Sequence, residues 1–334
     1  MHGFIAAIDY HLPSAVLSSS ELSAMFPEWS VEKIDAKTGI HARHIAGPDE
    51  CASDLAVAAA KRLFDSEACD PKIVDFLLLC TQSPDYLLPT TACLVHNRLK
   101  LRTQAGALDF NLGCSGYIYG LGLANGLIAS GQARSVLLLT AETYSKHLHP
   151  NDKACRTIFG DAATATLINS ESNPSRRFGP FLYGTDGNGG KDIMVPNSGC
   201  RSRLIGECCE PLAVPDTREP VIHMNGSKFF TFAVSVVPRV VRELLAAAKL
   251  TLDDIDLFIF HQANLYLLDE IRHTLQIPKI KSYVSLEESG NTVSSTIPIA
   301  LKHAEEDGRL SKGSRVLLVG FGVGYSWSAT ILSY

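Results

Sequence analysis

Two stretches of this chain repeat at one spacing, and that duplication limits the folds open to it. Val74–Gln82 (VDFLLLCTQ) resembles Ile255–Ala263 (IDLFIFHQA), and Ser135–Glu142 (SVLLLTAE) resembles Ser314–Gly322 (SRVLLVGFG). Both pairs are about 180 positions apart, a little over half of the 334-residue chain. Each stretch is short and nearly all apolar, the pattern of a parallel strand buried on both faces. One such match could be chance, because buried strands look alike. Two at one offset point to a duplicated α/β unit. Within the repeat, Cys80 stands where His261 stands. The prediction is therefore two equivalent halves that bring different side chains to one site.

The rest of the chain fits α/β alternation. Ala52–Phe64 has the spacing and alanine content of a helix. Ala107–Phe110 reads as another buried strand, and Ser115–Ser130 as a helix closed by Gly131. The N-terminus lacks a basic flank and a long apolar core, so it reads as a first strand and not as a signal peptide. Apolar residues make up 46% and charged residues 19%, enough for a large core and too apolar for a disordered chain. A net charge of -5 with no basic cluster argues against nucleic-acid binding. No apolar run reaches the roughly 18 residues of a membrane span. Nine scattered cysteines without a CxxC pair fit a reducing, cytoplasmic setting. Gly184–Pro220, rich in Gly, Asn, Asp and Pro, reads as a long loop between the halves. The expected division is 1–175 for the half carrying the cysteine nucleophile, 176–220 for an inserted loop region, and 221–334 for the half carrying His and Asn.

Three local patterns carry chemistry. In Asp109–Leu121 (DFNLGCSGYIYGL) an apolar strand ends, a Gly-flanked turn follows, and Cys114 stands where a helix begins. A thiol there is near the positive end of the helix dipole, which favours thiolate. That position predicts Cys114 as the first thiol to react with iodoacetamide. The alternative is a buried structural cysteine. In Asp256–Ile271 a strand delivers His261 to its C-terminal end, where ligands of parallel sheets bind. A core histidine bonded to a carbonyl is the alternative. In Glu288–Leu301, Gly290-Asn291 forms a turn whose amide can donate, or an ordinary turn. Together they make a nucleophile and two polar helpers. Papain-like proteases also use Cys, His and Asn, but the sequence around their cysteine differs. Cys200 and the vicinal Cys208-Cys209 lack a second ligand pair at zinc spacing. Glu142, at a strand end, reads as structural, and Tyr117 and Tyr119 as core.

With these motifs the chain resembles the β-ketoacyl-ACP synthase III enzymes of the thiolase superfamily, over nearly its whole length. TGIHARHIAG (Thr38–Gly47), RTIFGDAATATLI (Arg156–Ile168), HQAN (His261–Asn264), GNT (Gly290–Thr292) and GFGVGYSW (Gly320–Trp327) match family motifs in order and spacing. The resemblance implies an α/β thiolase fold, a duplicated αβαβα five-layer architecture, and a homodimer. It implies an acyltransferase in which Cys114 takes an acyl group from acyl-CoA or an acyl carrier protein. His261 and Asn291 would stabilise the enolate left when malonyl-ACP or malonyl-CoA loses carbon dioxide. The backbone amides of Cys114 and Val323 would form the oxyanion hole. No metal or organic cofactor is implied.

The family pattern also changes in places. A Gly-Gly-Gly turn reads Gly322-Val323-Gly324. Lys33 and Lys153 align with the aromatic and arginine that clamp the adenine of coenzyme A, and Asn264 belongs to the donor site. Tyr266, Thr231 and Thr274 replace basic residues of a carrier-docking face. Leu88, before Pro89, is the gate to the acyl pocket of the dimer mate. These changes favour a specialised secondary-metabolite or polysaccharide-pathway enzyme. A housekeeping fatty-acid initiator using acetyl-CoA, an acyltransferase to oxygen or nitrogen, and a partner subunit of a heterodimer remain the alternatives. Retention of Asn291 disfavours the second, and of Cys114 the last.

Overall fold

A computed structural model describes residues 1–171, 177–196, 198–200 and 220–334. The first half builds a five-stranded sheet from β1 (His2–His11), β2 (Phe76–Cys80), β3 (Gly106–Phe110), β4 (Ser135–Glu142) and β5 (Ala162–Glu171), ordered β1-β5-β4-β2-β3. The second builds a four-stranded sheet from β6 (Phe178–Thr185), β7 (Leu257–Phe260), β8 (Arg315–Gly322) and β9 (Ser326–Ser333), ordered β7-β8-β9-β6. Strands β2 and β4 pair in parallel, as do their sequence repeats β7 and β8. In each half two antiparallel neighbours follow, β5 then β1, and β9 then β6. The repeat seen in sequence is a repeat of topology.

Side-chain alternation explains why these strands are apolar throughout. Leu78 and Leu138 face the centre of the molecule, while Leu77, Leu79, Leu137 and Leu139 face outward. Between the sheets lie α2 (Gly116–Ala129) and α5 (Thr296–Glu306), while α1 (Ala52–Asp65), α3 (Gly226–Ala248) and α4 (Leu265–Thr274) lie on the outside. Ile118 and Leu121 of α2 and Ile297 and Leu301 of α5 share one core with Leu138 of the first sheet and Leu318 of the second. A helix that is apolar all round, as GYIYGLGLANGLIA is, needs such a two-sided burial. Leu55 and Leu63 of α1 cover the outer face of the first sheet. Val237 of α3 and Leu267 of α4 cover Phe258 and Phe260 of the second. The layers are therefore α, β, α, β, α.

Two expectations change. Residues 176–220 are not all inserted loop, because Phe178–Thr185 is an edge strand paired with β9. Its glycines and proline (FGPFLYGT) hide the strand pattern. The second half therefore begins before 221. Strand β3 is not buried on both faces: it is the edge of its sheet, and Leu108 is 39% exposed. Among the described residues, no helix is long and apolar enough to cross a membrane.

Candidate active site

Cys114 lies in the turn after β3, directly before Ser115 and α2. The repeat strand β8 presses against this turn. A Cβ on Gly320 would stand 2.8 Å from both the Cys114 carbonyl oxygen and Ser115 Cα, so only glycine lets the two backbones approach. Cys114 is 7% exposed.

His261 follows β7, and its backbone N–H donates to the Val319 carbonyl at 2.8 Å, extending the parallel ladder by one rung. Its ring is fully buried, with Nδ1 2.8 Å from Thr296 Oγ1 at the start of α5. Asn291 is held by backbone: its N–H donates to the Ile158 carbonyl at 2.9 Å, and its carbonyl accepts from Gly160 at 3.0 Å. Gly290 before it has φ +68, and a Cβ there would stand 2.8 Å from the Ile158 oxygen. Asn291 Oδ1 accepts the Val293 N–H at 2.9 Å, which turns Nδ2 toward His261 Nε2, 3.5 Å away. Val293 itself sits at φ 57, a strained backbone for a β-branched residue. Both nitrogens and Cys114 line one cavity of about 120 Å3, walled by apolar side chains such as Phe159, Met224 and Phe229.

Burial decides the charge states. It pushes the Cys114 thiol far above the ordinary range, and the Glu142 charge adds to this. A helix dipole contributes about 0.3–1 kcal/mol, up to ~2. Full desolvation shifts a group by about 3–5 pKa units, several kcal/mol, and wins. The thiolate expected at the helix start is thus a neutral thiol at rest. Burial lowers His261 to about 3, so its imidazole is neutral and acts by hydrogen bonding. Glu142, fully buried, is raised to about 8 mainly by desolvation, against hydrogen bonds from Gln82 N–H, Ser294 and Ser83.

Among the sequence candidates, Cys114, His261, Asn291, Asn264 and Val323 line this cavity. Asn264 also caps α4, its Oδ1 accepting the Leu267 N–H at 2.9 Å. Lys33, Lys153 and Leu88 are not among the lining residues. Lys153 pairs with the Glu28 carboxylate at 2.5 Å and Lys33 with the Glu28 carbonyl at 3.3 Å. Leu88 is 87% exposed. Trp29, one of two tryptophans, carries the Lys33 and Lys37 ammonium groups over its ring at 5.3 and 5.1 Å. The sequence reading passed over it because it lies four positions before Lys33. Tyr144 was missed because it belongs to no recognisable motif, and Thr296, inside Glu288–Leu301, because nothing in the sequence pairs it with His261. Among the described residues no group of three His, Cys, Asp or Glu is placed to hold a metal. Cys208 and Cys209 lie outside the described residues.

Duplicated halves that meet over a central helix, with a cysteine in the turn before it, define a condensing enzyme of the thiolase fold. The 3-oxoacyl-[acyl-carrier-protein] synthase III profile matches residues 108–187, around Cys114, and the C-terminal profile of the same family matches 245–334, around His261 and Asn291. The chain belongs to the 3-oxoacyl-[acyl-carrier-protein] synthase III family of acyltransferases. A crystal structure of a 3-oxoacyl-(acyl-carrier-protein) synthase III is 47% identical, with 100% of each chain covered and a TM-score of 0.95. The β-ketoacyl-[acyl carrier protein] synthase III of Thermus thermophilus is 36% identical, with 99% of each chain covered and a TM-score of 0.88. The priming β-ketosynthase of a polyketide biosynthetic pathway is 27% identical, covering 99% of this chain and 96% of that one, with a TM-score of 0.88.

Proposed function

We propose that this enzyme joins an acyl thioester to a malonyl-type thioester through an acyl-Cys114 intermediate. The observation that carries the reading is the convergence of His261 Nε2 and Asn291 Nδ2, 3.5 Å apart, in the cavity of the Cys114 thiol. Cys114 sulfur attacks the acyl carbonyl, and its proton leaves with the departing thiol. In the second step the malonyl thioester loses carbon dioxide, and the freed electron pair becomes an enolate. His261 Nε2–H and Asn291 Nδ2–H both donate to the enolate oxygen. This role requires the proton on Nε2, with the Thr296 hydroxyl turning from the Val293 carbonyl, 3.1 Å away, to donate to Nδ1. The enolate carbon then attacks acyl-Cys114. The oxyanion so formed accepts from the amides of Cys114 and Val323, and its collapse releases the cysteine sulfur, which regains a proton.

Decarboxylation fits better than transfer to oxygen or nitrogen, because two converging donors address a thioester oxygen. A second copy of the chain would pair through the edge strand β3, beside the exposed Tyr86, Leu87 and Leu88. A specialised donor is favoured by Tyr266, 60% exposed and stacked on Phe230 at 5.5 Å beside the cavity, where the family pattern has a basic residue. The similar polyketide priming enzyme fits that reading. Intact-mass measurement after incubation with assorted acyl-CoAs, followed by release of labelled carbon dioxide from malonyl-CoA or malonyl-ACP, tests the proposal. An acyl adduct anywhere but Cys114 overturns it.

A further inference from the structure

We infer that the acyl group carried by Cys114 bears a hydroxyl, read by a Tyr144–Gln82–Asn111 chain in a second compartment behind the nucleophile. The inference rests on the proposed acyl-Cys114. The second compartment, about 330 Å3, adjoins the cavity of Cys114, and Tyr144, Ile193 and Val323 line both. The first is walled by apolar side chains. The second adds Gln82, Asn111 and His147.

The polar groups are ordered, not scattered. The Tyr144 hydroxyl donates to Gln82 Oε1 at 3.0 Å, and Gln82 Nε2 donates to Asn111 Oδ1 at 3.2 Å. Gln82 is also next to the nucleophile turn: a Cβ on Gly113 would stand 2.5 Å from Gln82 Oε1. The chain of bonds leaves both donors of the Asn111 amide and an acceptor on Tyr144 unused. The Asn111 amide nitrogen donates, and the Tyr144 oxygen keeps lone pairs to accept. A hydroxyl can accept from the first and donate to the second. A carbonyl meets only the donor. A plain alkyl chain meets neither, and packed against the buried Tyr144 it leaves that oxygen's lone pairs without a partner, which selects against it by roughly tenfold.

Loading of Cys114 by butyryl-CoA, 3-hydroxybutyryl-CoA and 4-hydroxybutyryl-CoA, followed by intact mass, tests this in the whole enzyme. At least one hydroxyacyl donor should load tenfold faster than butyryl-CoA. Gln82→Met and Tyr144→Phe should each bring that ratio toward one. Butyryl-CoA loading as fast as both hydroxyacyl donors overturns the inference while leaving acyl-Cys114 intact. A hydroxyacyl preference that both variants retain overturns the assignment to these residues. Loading by none of the three, with acyl-Cys114 formed from other donors, also overturns it, and an enzyme acylated by no donor overturns the underlying reading instead.

Discussion

Ser294 Oγ donates to Glu142 Oε1 at 2.8 Å across 152 positions of chain. The bond ties the end of β4 in the first half to the turn that carries Asn291 in the second. The same carboxylate accepts from Gln82 N–H at 3.0 Å and Ser83 Oγ at 3.3 Å. Glu142 is therefore a strut between the two halves of the site, and its burial makes it titrate near neutrality.

Its folded pKa, about 8, lies above the usual 4.5, so the protonated form stabilises the fold. That contribution is complete below 4.5 and is lost as pH rises through 8. Glu142→Gln cannot ionise. Its melting temperature, measured from pH 5 to 9, should gain on the wild type as pH rises. A constant difference across the range contradicts the raised pKa. Removing the charge should also speed alkylation of Cys114 at the alkaline end.

The thiols should divide by exposure. Cys93 and Cys200 are exposed, whereas Cys114 is buried with its pKa raised. Iodoacetamide should label the exposed pair first, contrary to the expectation from helix position. Acyl-CoA should label Cys114 alone, because its sulfur lies in a cavity that brings the thioester to it. Peptide mapping after each reagent checks both outcomes.

His261→Ala and Asn291→Ala should keep acyl loading and lose carbon dioxide release by about 10²–10³ each. Thr296→Val should lose about fivefold in the same step, since a hydrogen bond of about 1 kcal/mol fixes the ring. Single-turnover loading and labelled carbon dioxide release separate the steps. Equal loss of both contradicts the division.

Gly320→Ala should lower stability by about 1–3 kcal/mol and abolish loading, because its methyl meets backbone of the nucleophile turn that cannot move aside. Denaturant unfolding and intact mass read the two effects.

Steady-state comparison of donors should find acetyl-CoA a poor primer. The Lys153 ammonium is engaged by Glu28 and the face beside Tyr266 is aromatic, where rim charges would speed docking. A kcat/KM for acetyl-CoA matching every longer donor would return the enzyme to the housekeeping role.

The duplicated fold was legible in the sequence because buried parallel strands leave near-continuous apolar runs, and two runs recurred at one spacing. That Cys114, His261 and Asn291 stand at strand or turn ends was legible, from flanking glycines for the first and last and from the apolar run before it for His261. Strand β6 was not, since its glycines and proline break the alternation that betrays a strand. The protonation of Cys114 was not legible either. Helix position is local and visible in the chain, but desolvation comes from residues such as Tyr144, Phe159 and Val293, which belong to separate segments. The same holds for the bond from Glu142 to Ser294, for Thr296 behind His261, and for the polar chain from Tyr144 to Asn111. Each joins side chains with no shared motif, which only tertiary packing brings within hydrogen-bonding distance.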